Sequence, residues 1–294
     1  VQVLMARLYH RNGNRSGDHI SAIQAIHNAL AAWQDEPRWH LLAAEIYLGR
    51  GHPDDLVDKE EAISHLEEAI RLDPKYPSPY LSLGKIYLEE GQPEKTIQVC
   101  EQASRLAADE PSTWHLLAQA HQHLGQLDQA ASSAERAIAL APQETAYLVL
   151  RGEIALDAGD YQAAHSQALV AIENDPDNPG ALLLMARALQ ELDQPEEALE
   201  VLEKAVQFVP QPLPLHLEKV RLLNRTQGAQ AAYQSIQELN QRYPDEPRVL
   251  ALMADILAKA DEPGGAIRVA QRALRINGET TVLSAKEQGE LHFT

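Results

Sequence analysis

The sequence lacks the residues and patterns on which several classes of protein depend. Its 294 residues include one cysteine, Cys100, which excludes an internal disulfide framework and a metal site built on cysteines. No run of 18 apolar residues occurs, so we expect no membrane-spanning segment. A glycine-rich phosphate loop, a Gly-x-Ser-x-Gly motif and a His-Glu-x-x-His motif are also missing. We therefore expect a non-enzymatic protein with no cofactor and no metal site.

Positive charge is scarce as well. The chain has 25 Lys or Arg against 43 Asp or Glu, a net charge of −18. Residues 213–294 hold ten of each sign, so all the negative excess lies in residues 1–212. A field of this sign repels nucleic acid and anionic membranes, and we expect neither as a partner. Cys100 lies three positions before Ala103, which starts a 34-residue ladder that continues through Ala137, Ala171, Ala205, Leu239 and Ala273. This place favours a buried packing role over a reactive thiol.

What the sequence does contain is a pattern of large and small residues that returns every 34 residues. It is clearest in the stretch from Tyr80 to Tyr87, Tyr-Leu-Ser-Leu-Gly-Lys-Ile-Tyr. The large residue returns as Tyr80, Trp114, Leu148, Leu182, His216 and Leu250. A small residue follows four positions later, as Gly84, Ala118, Gly152, Ala186, Val220 and Ala254. A second ladder runs through Thr96, Ala130, Ala164, Ala198, Ala232 and Ala266. Aromatic residues are only 5% of the chain, and this alanine-rich composition favours closely packed helices over strands.

The pattern resembles the tetratricopeptide repeat family, whose signature is Trp-x2-Leu-Gly-x2-Tyr, then Ala-x3-Phe, then Pro. Residues 80–87 match the first part except for Tyr in place of Trp. Trp39 and Trp114 restore the tryptophan but have Ala where the signature has Gly. The resemblance implies an all-α, right-handed superhelical solenoid of about eight antiparallel helix pairs. It also implies a scaffold that binds other proteins.

We expect one solenoid over residues 1–280, because each repeat contacts mainly its neighbours. The predicted units are 1–35, 36–76, 77–110, 111–144, 145–178, 179–212, 213–246 and 247–280. Residues 281–294 are either a cap on the last helix pair or a frayed tail. The second unit has an insertion of seven residues, which is read either as an earlier start of its second helix, capped by Asp54 or Asp55, or as an acidic loop. Because the chain begins at Val1, we expect a fragment or a processed protein.

The resemblance implies that the first helix of each pair lines a concave groove. Residues one, five, eight and nine positions after the Tyr80 place would then face a ligand, a spacing that keeps them on one helix face. The Lys and Asn arrangement of chaperone adaptors and the Asn ladder of sugar-transferase members are absent from this chain. The candidate groove residues are Arg187, Arg221, Arg225, Arg248, Lys259, His115, Gln119, Leu183 and Leu217.

Arginines concentrate in the later part of this groove although the protein is acidic. Arg187, Arg221 and Arg225 are joined by Arg248 and Lys259, and we hypothesise that this basic strip binds an acidic or carboxylate-bearing peptide. Alternatively, each arginine pairs with a local carboxylate, such as that of Glu191, Glu218 or Asp255, on an ordinary solvated face.

We therefore expect a non-catalytic scaffold that binds a peptide segment or a partner subunit. The alternative is a regulatory or substrate-recruiting region of a larger enzyme, and self-association through a terminal helix is a third possibility. The compartment stays open, with the cytoplasm favoured over the periplasm.

Overall fold

The computed structural model describes residues 16–49, 55–209, 213–260 and 262–280. Within these ranges every regular element is an α-helix, which confirms the all-α repeat solenoid class. The helices are α1 Ser16–Ala32, α2 Pro37–Leu48, α3 Asp55–Leu72, α4 Pro77–Glu89, α5 Pro93–Leu106, α6 Pro111–His123, α7 Leu127–Leu140, α8 Thr145–Asp157, α9 Tyr161–Asn174, α10 Pro179–Glu191, α11 Pro195–Phe208, α12 Leu213–Thr226, α13 Ala229–Arg242, α14 Pro247–Lys259 and α15 Pro263–Thr280. None of these described helices combines the length and the apolar composition that crossing a membrane requires.

The contacts divide the chain into two compact units, residues 1–150 and 151–294. In the first unit each helix from α1 to α7 packs against the next, and α4 also contacts α6. In the second unit the same sequential packing runs from α9 to α15, and α10–α12 and α12–α14 contacts are added. In each unit, therefore, first helices of neighbouring pairs touch, so that their exposed faces form a continuous layer.

Proline and glycine set the helix ends. Proline occupies the first turn of most first helices, where its fixed φ suits the helix and its missing N–H costs no bond. The turn inside three successive pairs has a glycine with positive φ: Gly91, Gly125 and Gly159 at +67°, +68° and +76°. The next copy has Asp193 at this place with φ 60°, a conformation that residues with a side chain rarely adopt.

The alanine ladder of the second helices is buried. Ala130, Ala164, Ala198, Ala232 and Ala266 are each 0% exposed. In the copy that has Thr96 instead, the threonine hydroxyl donates to the carbonyl oxygen of Gly84 at 3.3 Å, so its polar group is satisfied inside the core. Small side chains at these positions let the two helices of a pair approach closely.

Cys100 is completely buried, as expected, and burial raises the pKa of its thiol to about 12. A thiol with this pKa stays protonated at neutral pH and is inert. The insertion of the second unit extends α3, which begins at Asp55 and has 18 residues against 14 in α5. The start of the first predicted unit, residues 1–15, and the predicted cap or tail at 281–294 lie outside the described residues.

A network of histidines joins α1, α2 and α3. Nδ1 of His40 lies 3.0 Å from Nδ1 of His65, and Nε2 of His40 lies 2.8 Å from the carbonyl oxygen of Gln34. Nε2 of His27 contacts the hydroxyl of Tyr47 at 2.7 Å, and the Tyr47 ring stacks on His65 with centroids 5.7 Å apart. The described residues contain no group of three histidine, cysteine or acidic side chains arranged to hold a metal ion.

Candidate functional site

The candidate site is a row of polar side chains on the first helices of the second unit. These helices have apolar faces that pack into the core, which leaves one polar face to solvent. Helical spacing puts Arg187 and Gln190 on one face of α10, and Glu218, Arg221 and Asn224 on one face of α12. Because α10 contacts α12 and α12 contacts α14, side chains of consecutive copies meet across this layer.

Glu218 is the centre of the row. It is 8% exposed, and its Oε1 accepts a hydrogen bond from Nε2 of Gln190 at 3.1 Å. Its Oε2 lies 4.0 Å from Nε of Arg187 and 3.6 Å from an Nη of Arg221. The side chains of both arginines are 43% exposed. One buried carboxylate therefore holds two guanidinium groups, from two helices, that still face solvent.

A second carboxylate, that of Asp255 on α14, lies one copy later at the place that Arg221 has on α12. Its Oδ2 accepts from Nζ of Lys259 at 2.8 Å and from Nδ2 of Asn224 at 3.3 Å. The Oδ1 atom of Asn224 is buried without a hydrogen-bond partner among the described residues. The amide of Asn224 thus links α12 to α14 by its donor alone and leaves its acceptor unused.

Glu153 lies at the start of the row, on α8. Burial raises the pKa of its carboxyl group and Asp157 adds to the rise, while the positive charge of Arg187 acts in the opposite direction. A nearby cation stabilises the ionised form of a buried carboxyl group. The positive charge of Arg187 therefore stabilises the carboxylates of both Glu153 and Glu218.

The cations of the predicted basic strip differ in their partners. Arg187, Arg221 and Lys259 have local carboxylates, as the alternative interpretation of the sequence proposed. Arg248 contacts Glu246, the N-cap of α14, at 2.7 Å, so it belongs to the helix end. Arg225 is exposed and has no ion pair among the described residues. The structure therefore brings Arg187 and Arg221 together and sets Arg248 apart from them.

The two leucines predicted to line the groove have different environments. Leu183 is half-buried and packs against the core of α10 to α12. Leu217 is 2% exposed and lies in the core with Val220 and Ile236. Its side chain points at neighbouring helices because it falls on the apolar face of α12. It offers no surface to a ligand, and the candidate site excludes it.

His115 and Gln119 lie on α6 in the first unit and are both half-buried. The His115 ring lies against the Tyr147 ring with centroids 4.8 Å apart, and its Nδ1 is buried without a hydrogen-bond partner in the described part of the chain. Burial lowers the pKa of His115, so the ring is neutral at pH 7. This pair is a separate polar patch of the first unit.

The sequence analysis treated Glu218 only as a local partner of arginine and missed that it binds side chains from two helices. The sequence does contain a pattern that indicates this role. The corresponding place in other copies holds Leu116, Leu150, Leu184 and Leu252, each 7% exposed or less. A carboxylate in a position that otherwise takes leucine indicates a special environment.

Two family models match the chain. A model described as the tetratricopeptide repeat protein 21 N-terminal ARM repeat matches residues 92–228, and a TPR repeat model matches residues 58–91. No curated protein matches the chain significantly in sequence.

Several solved structures resemble the fold. A tetratricopeptide repeat protein from Parabacteroides merdae is 16% identical with a TM-score of 0.71, and the match covers 88% of this chain and 97% of that one. Yeast Tom70 is 15% identical with a TM-score of 0.68 over 94% of this chain, which spans 58% of the Tom70 chain. YrrB, described as a TPR protein with an unusual peptide-binding site, is 21% identical with a TM-score of 0.53, covering 66% of this chain and 97% of its own.

Proposed function

The chain belongs to the tetratricopeptide repeat family, and on that premise we propose that it is a non-catalytic interaction scaffold that binds an acidic segment of a partner protein. The binding surface is the row of polar side chains on α10 and α12, with Arg187 and Arg221 as its main contacts and Arg225 one helical turn further. Solenoids of this kind present extended binding surfaces to which each repeat contributes one helix.

The observation that supports this proposal is the arrangement around Glu218. The carboxylate is shared between two guanidinium groups from different helices, at 3.6 and 4.0 Å. Both arginine side chains are 43% exposed, so a ligand in solvent can reach them, and a guanidinium is a planar donor that suits a carboxylate. Both side chains are held in place before a ligand arrives, which lowers the entropic cost of binding.

Carboxylate is the ligand chemistry that fits this pair. Arginine forks bind carboxylates with paired hydrogen bonds, and the rest of the protein repels acidic chains because of its charge of −18. Acidic ligands are therefore directed to the few places where cations gather. The carboxylates of Glu153 and Asp255 border the pair on both sides, which favours a short acidic motif over a long acidic tract.

An array of short immobilised peptides tests this function. Acidic peptides are compared with the same peptides in which Glu and Asp are replaced by Gln and Asn. We expect retention of a subset of acidic peptides, with an affinity that falls as salt rises. In the double variant Arg187→Gln, Arg221→Gln, binding should weaken at least about tenfold, because each lost contact was to a charged group.

The matched control is the double variant Arg71→Gln, Arg105→Gln, which also removes two positive charges; Arg71 is exposed and pairs with Glu68. Arg105 is an exposed arginine in an ordinary i, i+4 pair with Glu101, and it belongs to the first unit. If the control and the Arg187→Gln, Arg221→Gln variant lose affinity equally, the interaction is only an effect of net charge and the proposed site is wrong. Binding of the amide-substituted peptides with unchanged affinity would overturn the acidic specificity. Sedimentation at several concentrations separates both results from self-association.

A further inference from the structure

One copy of the repeat departs from the others at three places at once. The large residue of the pattern is His216 in this copy and Tyr, Trp or Leu in the five compared with it in the sequence. Three residues later it has Lys219, where the other copies have Leu83, Leu117, Arg151, Met185 and Met253. At the end of its second helix it has Arg242, where they have Leu106, Leu140, Asn174, Phe208 and Ile276. None of those five has a basic residue at more than one of these places.

The three basic residues meet in one cleft of the second unit. The cleft has a volume of about 410 Å³ and lies where α12 is flanked by α11 and α13. An Nη of Arg242 lies 3.5 Å from Nε2 of His216. The other lining residues are Val206, Val220, Leu239, Ser235 and Glu238. A cleft between α9 and α11 that uses the equivalent places has an apolar floor of Leu182, Met185 and Leu189.

The charges around the cleft include two carboxylates. Nζ of Lys219 lies 3.3 Å from Oε1 of Glu203, which is half-exposed at the rim, and Glu238 accepts a hydrogen bond from Gln234 at 3.2 Å. Burial lowers the pKa of His216, and the positive charges of Arg242 and Lys219 lower it further. The positive charges near the imidazole therefore disfavour its protonation. An anion bound in the cleft would favour protonation and raise the pKa of His216.

We propose that this cleft binds a phosphate monoester, with Arg242, Lys219 and His216 as donors to the phosphate and Val206, Val220 and Leu239 as walls for the organic group. The volume exceeds what a phosphate ion fills, so part of an attached group enters with it. Arginine, lysine and a hydroxyl such as that of Ser235 are common phosphate donors. The inference goes beyond the proposed function, because His216 and Lys219 lie on a different face of α12 from Arg221 and Arg225.

The imidazole of His216 reports directly on an anion beside it. In the full chain labelled with ¹⁵N-histidine, the pKa of His216 is measured by NMR in sodium chloride and in sodium phosphate of equal ionic strength. The resonance is assigned with the variant His216→Gln. We expect a pKa below the ordinary value in chloride and a rise of about one unit in saturating phosphate. Phenyl phosphate should bind more tightly than inorganic phosphate, because its ring reaches the apolar walls.

Two variants and one control locate the site. Arg242→Gln and Lys219→Gln should each weaken phosphate binding about tenfold or more, since each removes a charged donor. The control is Lys204→Gln, which removes a lysine that is exposed on α11 and contacts Glu200 at 2.6 Å. An unchanged His216 pKa in phosphate would overturn the proposal. So would equal losses in Arg242→Gln and Lys204→Gln.

The source of the phosphate monoester is decided by comparing free O-phosphoserine with a phosphoserine placed within a neutral peptide. Tighter binding of the peptide indicates a phosphorylated protein partner, and equal binding indicates a small phosphorylated metabolite. Both outcomes support a phosphate site in the cleft. If the parent chain binds neither compound, the proposal is wrong. The acidic peptides proposed for α10 and α12 should be insensitive to Arg242→Gln, so the two sites fail separately.

Discussion

Acid should loosen the start of the described fold, because the ring of His65, in the histidine network of α1, α2 and α3, lies where its charged form is disfavoured. A carbonyl oxygen can only accept, so Nε2 of His40 carries the hydrogen that is donated to Gln34. Nδ1 of neutral His40 is then an acceptor, and Nδ1 of His65 must donate to it.

The size of the expected loss of folding stability follows from the pKa of His65. Burial and, to a smaller extent, the neighbouring His40 and His27 lower its pKa to about 4, while Glu68 acts in the opposite direction. Glu68 is itself paired with Arg71 at 2.6 Å, which weakens its influence on the ring. Because the folded pKa lies below the unfolded value of 6.5, the unfolded state binds more protons between these two values. Stability is complete above pH 6.5 and is lost progressively as the pH falls towards 4.

The full shift would correspond to an upper limit of about 3 kcal/mol at pH 4, since each unit is worth about 1.4 kcal/mol. The ring is partly accessible to solvent, and we therefore halve this figure. At pH 5, where ordinary carboxylates are still ionised, the expected loss is about 1 kcal/mol.

Hydrogen exchange of the backbone amides measures this loss locally. Protection in α2 and α3 should fall between pH 7.5 and pH 5, after correction for intrinsic exchange, while α5, which contains no histidine, serves as an internal reference. The control variant is His65→Gln, whose amide can still donate to His40 but cannot titrate. If the parent and His65→Gln lose the same protection over this range, the assigned role of His65 is refuted.

Three further substitutions test the packing of the second unit. Glu218→Leu restores the residue type of the other copies and removes a buried carboxylate, while Arg187 and Arg221 are exposed enough to turn to solvent, so the melting temperature should stay unchanged or rise. Binding of acidic peptides should weaken in the same variant, because the two arginines lose the group that positions them. Gly152→Ala should cost about 1–3 kcal/mol in urea denaturation, because the added Cβ would overlap the buried side chain of Leu184. Asp193→Gly should stabilise the folded state by about 0.5–1 kcal/mol in the same assay, because glycine adopts a φ of 60° without strain. A destabilised Asp193→Gly variant would contradict the strain at this turn, and an unaffected Gly152→Ala variant would contradict the close packing of Gly152 on Leu184.

Much of the fold could be predicted from the spacing of residues. The 34-residue period predicted helical pairs, and buried ladders such as Ala164 and Ala198 follow from it because small residues allow close helix contact. The extension of α3 could be predicted too, since seven added residues are nearly two turns and leave Leu66 on the core face. Such features depend on local periodicity, which a sequence shows directly.

The candidate site was predicted less well. The spacing expected for groove residues selected Arg187 and Arg221, which lie beside the same carboxylate in the structure, and it also selected Leu217, which is in the core. That the arginines bind a ligand stays a prediction. The rule places residues on a helix face and says nothing of how closely the next helix covers that face. The role of Glu218 depends on side chains from two helices meeting at one oxygen, and spacing within one helix cannot show this.

The sequence by itself determined the repeat, the helices, their turns and which residues are small enough to lie between them, because each of these depends on neighbours within about one turn or one repeat. Tertiary structure alone decided which charges of different helices meet. It placed Arg187 and Arg221 on one buried carboxylate and brought Arg242 to His216 in the cleft between α11 and α13. Electrostatic energy depends on distances of a few ångströms between side chains that lie 26 to 31 residues apart in the chain. Such distances are set only when the helices pack.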